Sequence, residues 1–355
     1  MSENTQVTLT GSSAQKLPVG KNFDAVDIGK FILSILVCCI HSLGGIHDGL
    51  APVSKIAVPM FFAFSGFFFF RKWNKNPSFK ETYIPFVKRN LILYIVWLII
   101  LLPITMYTYR FFKDGIVHGI LLITVRFFFG GLFASSWYIM ACVIGTGIVC
   151  IVSKKLNNYV LLGVGGVIYI ICVLISNYRG LFNTEGPFLQ LFVYIYPGTF
   201  YHSFPASILF LSVGKVIAEY GWKMNVRLWG LLSVFSIGLM FAEYYLIEFI
   251  GCKVDNDCYF TLIPAGIFIT LFLLSIDRPV KHSRYFRGLS TLNYVMHGSV
   301  INTLMILTNY IQVERGSAVW YSIRFFATEF ICIAVGLIIL YLEYNRKVKV
   351  LKYLH

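Results

Sequence analysis

Asp27 to His41 read DIGKFILSILVCCIH, an acid, a base and a histidine set along an apolar run. Between Phe31 and Ile40 only Ser34 is strongly polar, and with its neighbours the run predicts a helix over 24–45 that crosses a bilayer. At about 100° per residue, Lys30 and His41 are offset by roughly 20° and Asp27 lies about 40° from His41 on the other side. One stripe therefore carries all three. At 1.5 Å rise per residue His41 stands about 16 Å beyond Lys30, so those two do not touch. Asp27, one turn from Lys30, is placed to pair with it. An ionisable group deep in a membrane helix is costly and points to function. Two plainer readings stand beside that one: Asp27 and Lys30 reach to the interface, and His41 bonds a neighbouring helix.

The rest of the chain has the same character. Hydrophobic residues make up 57% and charged ones 13% of 355 residues, against about 25% charge in soluble domains, and mean hydropathy is +0.74. The expected class is an all-α integral membrane bundle of one domain. The formal charge of +14 does not indicate nucleic acid, because most of it sits in short loops between apolar segments, where it orients a protein in a bilayer. Residues 1–22 are polar, rich in Ser and Thr, and read as a disordered cytoplasmic tail without signal-peptide features. Residues 23–345 form the membrane domain and 346–355 a basic cytoplasmic tail. Six of the eight cysteines lie in apolar segments as packing residues. Cys252 and Cys258 flank a short polar loop where a disulfide is one of two readings. No Cys or His spacing matches a metal site.

Segments long enough to span occur at 24–45, 52–70, 84–107, 136–153, 158–176, 201–219, 227–249, 259–277, 289–311 and 319–343. An eleventh candidate, 115–133, is interrupted by His118, Arg126 and the Gly130–Gly131 pair, and is expected to lie along the outer surface. With ten spans and the N-terminus inside, 20 of the thirty basic residues fall in interior segments and six in exterior ones. That bias predicts both termini in the cytoplasm. Counting 115–133 as a span inverts every later loop and destroys it.

At these residues the chain resembles the integral-membrane acyltransferase-3 family, which transfers acyl groups to envelope glycans and other acceptors. The similarity covers nearly all of 23–345. Its most specific part is the first span, where the family carries a basic residue, ten intervening residues and a histidine, here Lys30 and His41. The family residue is usually Arg, and Lys keeps the charge without the planar fork. The second span looks like the family's F-F-x-x-S-G at Phe61, Phe62, Ser65 and Gly66. Arg89 stands as the counterpart of an arginine before the third span, Trp137–Tyr138 as that of Trp-Phe at the fourth, and His297 as that of a histidine in the ninth.

The resemblance implies transfer of an acyl group, acetyl first among them, from acetyl-CoA or another acyl-CoA acting as donor substrate. No permanently bound cofactor or metal is implied. The acceptor is the hydroxyl of an envelope glycan or lipid-linked sugar at the outer half of a bacterial plasma membrane. His41 is the candidate general base, since a neutral imidazole suits that role. Asp27, His297 and Glu243 are further candidates for the catalytic set. Glu243 either orients an imidazole, binds a sugar or pairs locally. Lys30 and Arg89, with Ser65 and Gly66, are candidates for donor binding at the cytoplasmic mouth; close helix packing also accounts for Ser65–Gly66. Trp137 and Tyr138 are candidates for contact with substrate. His297, about 12 Å into a span starting at 289, is expected at a different depth from His41. The outer loop 177–200, with Tyr178, Arg179, Glu185, Gln190, Tyr194 and Tyr196, suits a sugar or an interfacial aromatic belt. Membrane lipid is the further partner implied, and nucleic acid is not one. A transporter or flippase for a polar solute or glycan precursor is the rival class, and a non-catalytic sensor a third.

Overall fold

The computed structural model describes residues 22–43, 51–182, 200–222, 225–252, 257–310 and 317–355. The expected tail 1–22 lies outside these except for Asn22, as do Glu185, Gln190, Tyr194, Tyr196 and residues 253–256 of the Cys252–Cys258 loop. Among the described residues the chain is helical and carries no strand.

Helix α1, Asp24–Ser42, begins behind Phe23, whose ring packs edge-on against Phe67 and Phe68 at 5.6 and 5.5 Å. Asp24 and Asp27 occupy its first turn, where negative charge meets the favourable end of the helix dipole, and His41 its last. A short helical turn, Ala51–Ser54, leads into α2, Ala57–Trp73, which is the buried heart of the bundle. The order continues with α3 (Ile84–Ile100), α4 (Leu102–Tyr109), α5 (Ile116–Phe128), α6 (Trp137–Val152), α7 (Asn158–Ile175) and α8 (Phe204–Tyr220). It closes with α9 (Val226–Ile250), α10 (Leu262–Ser275), α11 (Ser283–Tyr310) and α12 (Ala318–Tyr344).

Two packed groups meet at α2. In the first, α2 lies along α8, and α6 and α7 pack behind α8. The α2–α8 approach is close enough that a methyl group on Gly66 would strike the Leu211 carbonyl oxygen, and one on Gly214 the Ala63 carbonyl. Small residues at a crossing are what let membrane helices pack backbone to backbone. In the second group, α11 lies between α1 and α12. The outward faces stay apolar, with Ile99, Val117, Val234, Phe249 and Phe330 all exposed. Such a surface is stable only against hydrocarbon.

Among the described residues six helical segments are long and apolar enough to cross a membrane: Asp24–Ser42, Pro52–Trp73, Phe79–Ile100, Asn158–Ile175, Val226–Ile250 and Ala318–Tyr344. The protein is a multi-pass membrane protein. The expected span 84–107 is broken between α3 and α4, where Pro103 near the start of α4 removes a backbone donor and crowds the preceding turn. The segment 115–133 forms α5, a short apolar helix of 13 residues, about 20 Å long. Helix α11 begins at Ser283, six residues earlier than expected, and runs for 28 residues. It is long enough to cross but too polar to count among the six, and its polar stripe faces the site described next. Cys252 and Cys258 are both buried and carry thiols, not a disulfide.

Candidate functional site

The first turns of α1 and α11 build one charged corner. Arg287 Nη2 lies 2.7 Å from Asp27 Oδ2, and Arg287 Nε donates to Oδ1 and Oδ2 at 3.0 and 3.1 Å. Asp27 is therefore gripped by a planar guanidinium from across the bundle, and not by Lys30. The early start of α11 brings Arg287 opposite it, and the fork matches a carboxylate where a lysine cannot. The Lys30 ammonium lies over the faces of Phe64 and Phe68, 5.7 and 4.9 Å from their centroids.

These residues border a cavity of ≈ 2210 Å³ lined by Lys30, Lys88, Arg89, Arg287 and Lys352. Ser65 lines it as well, its hydroxyl 2.8 Å from that of Tyr138. Gly66, next in sequence, is turned away against Leu211 and does not face the cavity. The end of the chain closes one side. A 3₁₀ turn, Lys349–Leu354, folds back so that Trp97 Nε1 donates to the Leu354 carbonyl at 2.9 Å. Lys352, Tyr353 and His355 then join the lining.

At the other end of α1, two imidazoles meet. The His41 and His297 rings stack at 5.4 Å with 24° between planes, so the two histidines share one depth. The expected separation assumed a helix starting at 289. From Ser283, His297 lies roughly 21 Å along α11, close to the roughly 26 Å of His41 along α1. Between them stands Ser135, its Oγ 3.1 Å from His297 Nε2 and 3.5 Å from His41 Nε2. His297 Nδ1 lies 3.1 Å from the Asn293 carbonyl, which can only accept. Nδ1 therefore carries the proton, and Nε2 accepts from the Ser135 hydroxyl.

Buried polar groups hold both rings in place. Arg324 donates to the Ser42 carbonyl through Nε at 3.1 Å and through Nη2, and Nη2 also reaches the His41 carbonyl at 3.4 Å. A cation thus caps the helix end that carries His41. Asn293 Nδ2 donates to Ser34 Oγ and to both Glu329 oxygens, each at 3.2 Å, tying α1, α11 and α12 together beneath His297. Replacing Arg324 by Met removes these charge-assisted bonds and costs about 1.5–3 kcal/mol of stability. Thermal unfolding in detergent checks this, and an unchanged midpoint would show that Arg324 does not hold the helix end.

His41 and Ser135 open on a second cavity, ≈ 670 Å³, lined also by Lys55, Trp137, Tyr169, Tyr201, His202, Asp257 and Tyr294. Lys55 Nζ is 2.6 Å from Asp257 Oδ1 and His202 Nε2 is 3.2 Å from Oδ2, while the His202 ring sits 5.4 Å from Trp137. Tyr294 lines both cavities. Its hydroxyl donates to the Ser135 carbonyl at 2.5 Å, and its ring meets Phe61 and Tyr138 at 5.9 and 5.5 Å. These aromatics form the wall between the basic cavity and the aromatic one. Trp137 and Tyr138, adjacent in sequence, fall on opposite sides of it.

Glu243 belongs to neither cavity. It accepts from Phe260 N and Thr261 N at 2.8 Å, from Thr261 Oγ1 at 2.5 Å and from Tyr178 Oη at 3.0 Å. A carboxylate on amides that open α10 is a structural cap. Burial, then the adjacent Glu243 carboxylate, pushes the Tyr178 phenol up and keeps it a donor. Of the three readings open to Glu243, local pairing is the observed one.

Sequence reasoning did not single out Ser135, Arg287, Asn293, Tyr294, Arg324 or Glu329. Arg324 and Glu329 carried a signal, being ionisable residues inside an apolar span. Ser135 carried none beyond its place two residues before Trp137.

Among curated proteins, an amino-acid racemase of Enterococcus faecalis is 23% identical over 83% of this chain and 43% of its own length. A serine/alanine racemase of Enterococcus gallinarum is 24% identical over 87% of this chain and 45% of its own length. The chain spans less than half the length of these relatives. No solved structure matches. The acyltransferase-3 family model, described as an acyltransferase domain, matches residues 23–342, nearly the whole of the helical bundle. The chain belongs to the acyltransferase-3 family.

Proposed function

We propose that the protein transfers an acyl group, in the first instance acetyl, from cytoplasmic acyl-CoA to a hydroxyl presented at the outer half of a bacterial plasma membrane, with His41 as general base. The observation that carries this reading is the placement of His41 and Ser135 on the smaller aromatic cavity, with His297 buried behind Ser135, next to Tyr294, which also lines the large basic cavity. The basic cavity suits the phosphates of the donor, with Lys30, Lys88, Arg89 and Arg287 around it. Trp137, Tyr169 and Tyr201 in the aromatic cavity suit the apolar faces of a sugar ring, so an envelope glycan or a lipid-linked sugar is the first acceptor class. The racemase names of the relatives support a second class, a hydroxyl amino acid, for which Lys55 and Asp257 offer opposite charges to a zwitterion. Acetyl-ester content of alkali-treated glycan, and of free serine, after incubation with acetyl-CoA separates these acceptors. Movement of solute without any ester would favour a transporter.

We propose ten crossings, the six long spans with α6, α8, α10 and α11 added to them; the 20-to-6 charge bias in the sequence supports this count and both termini inside. Residues 1–22 and 346–355 are then cytoplasmic tails flanking a membrane domain at 23–345. Cysteine labelling should find 278–287 protected from an impermeant outside reagent; labelling there would sink the ten-span arrangement.

Replacing Lys30 or Arg89 by Ala weakens acetyl-CoA binding about 10–100-fold, the worth of one charge-assisted phosphate contact. Lys30→Arg is better tolerated than Lys30→Ala. Equilibrium binding of acetyl-CoA to protein in detergent checks both, and unchanged affinity in the two alanine variants would return these charges to topology alone.

A further inference from the structure

Building on the proposed acyl transfer, we infer that Ser135 is a covalent relay, accepting the acyl group from the donor and passing it to the acceptor. A direct transfer needs one base at one hydroxyl. Here a single serine hydroxyl lies between two imidazoles. His297 has its Nδ1 fixed on the Asn293 carbonyl, so its Nε2 is the ready base for the serine proton, the arrangement of a nucleophile, a base and an orienting group. His41 faces the aromatic cavity and serves the incoming acceptor. Ser135 also sits at φ 66°, a left-handed conformation that costs a non-glycine residue energy and clusters at functional positions. Its carbonyl is held by Tyr294, the residue shared by the two cavities. With a relay at that wall, donor and acceptor never occupy one cavity together.

The two steps balance. In the first, Ser135 Oγ bonds to the thioester carbonyl carbon, the C–S bond breaks, and the serine proton passes through His297 Nε2 to the departing thiolate, giving free CoA. In the second, the acceptor oxygen bonds to the same carbon, the C–Oγ bond breaks, and the acceptor proton passes through His41 to Ser135 Oγ.

The test is incubation of the full chain in detergent with radiolabelled acetyl-CoA and no acceptor, then acid quench and peptide mapping. The expected result is a burst of one CoA per protein and label on Ser135, stable to neutral hydroxylamine and released by alkali. Ser135→Gly is the decisive variant, because glycine adopts the left-handed conformation freely and keeps the fold while removing the hydroxyl. It should lose both label and burst. Ser135→Cys should carry label that hydroxylamine removes, and His41→Ala should hold the label without passing it on. Folded Ser135→Gly that transfers acetyl at the wild-type rate would overturn the relay and leave the proposed transfer standing. Wild-type protein that neither releases CoA nor acylates any acceptor would overturn both.

Discussion

His41→Ala lowers acyl transfer about 10²–10⁴-fold, the usual worth of a general base, while acetyl-CoA binding stays close to wild type. The separation follows from position. His41 lines the aromatic cavity, whereas the basic residues proposed to meet the donor line the other one, beyond Tyr294. The fold should survive, because the His41 backbone is held through Arg324 and not through its ring. Turnover normalised to folded protein, set beside donor affinity, is the measurement. A fall in both by the same factor would mean that the imidazole acts in binding, and near-normal turnover would remove it from the chemistry.

His297→Ala should lower turnover by a comparable factor, although the ring is fully buried and reaches neither cavity surface. It acts on Ser135 Oγ at 3.1 Å. Truncating it leaves that hydroxyl without its base and the Asn293 carbonyl without its donor. His297→Gln restores a bond to the carbonyl but no base, so it should recover stability and not activity. Substitutions within one catalytic unit are far from additive, so the double alanine variant should be only slightly slower than the slower single one. Losses that multiply would show the two histidines working independently.

Much of this site could be read locally. The stripe of Asp27, Lys30 and His41 is a matter of helical period, and α1 forms over the residues that the period selects. The short helix within 115–133 ends just before the Gly130–Gly131 pair that interrupts the apolar run. What the period could not supply was partners distant in sequence. Arg287 lies 260 residues from Asp27, on the helical residues that precede the apolar run expected at 289–311, where α11 already begins at Ser283. That one displacement accounts for the misjudged depth of His297. Glu243 shows the opposite limit. A costly buried carboxylate drew attention for a sound reason, yet the amides at the start of α10 satisfy it fully. Gly66 likewise follows its packing role, pressed to α8, while Ser65 beside it lines the basic cavity. Ser135 lay just outside the span expected at 136–153, where no apolar pattern exists to mark a residue.

The central claim is that the acyl group crosses the wall at Tyr294 from a donor on one side of the membrane to an acceptor on the other. Liposomes carrying the protein in both orientations, with labelled acetyl-CoA sealed inside and alkali-stripped envelope glycan outside, test it directly. Labelled ester should appear on the external glycan, dependent on His41, and none when donor and acceptor are both supplied only outside. Equal esterification with both on the same side, or full transfer by a folded His41→Ala variant, would contradict it.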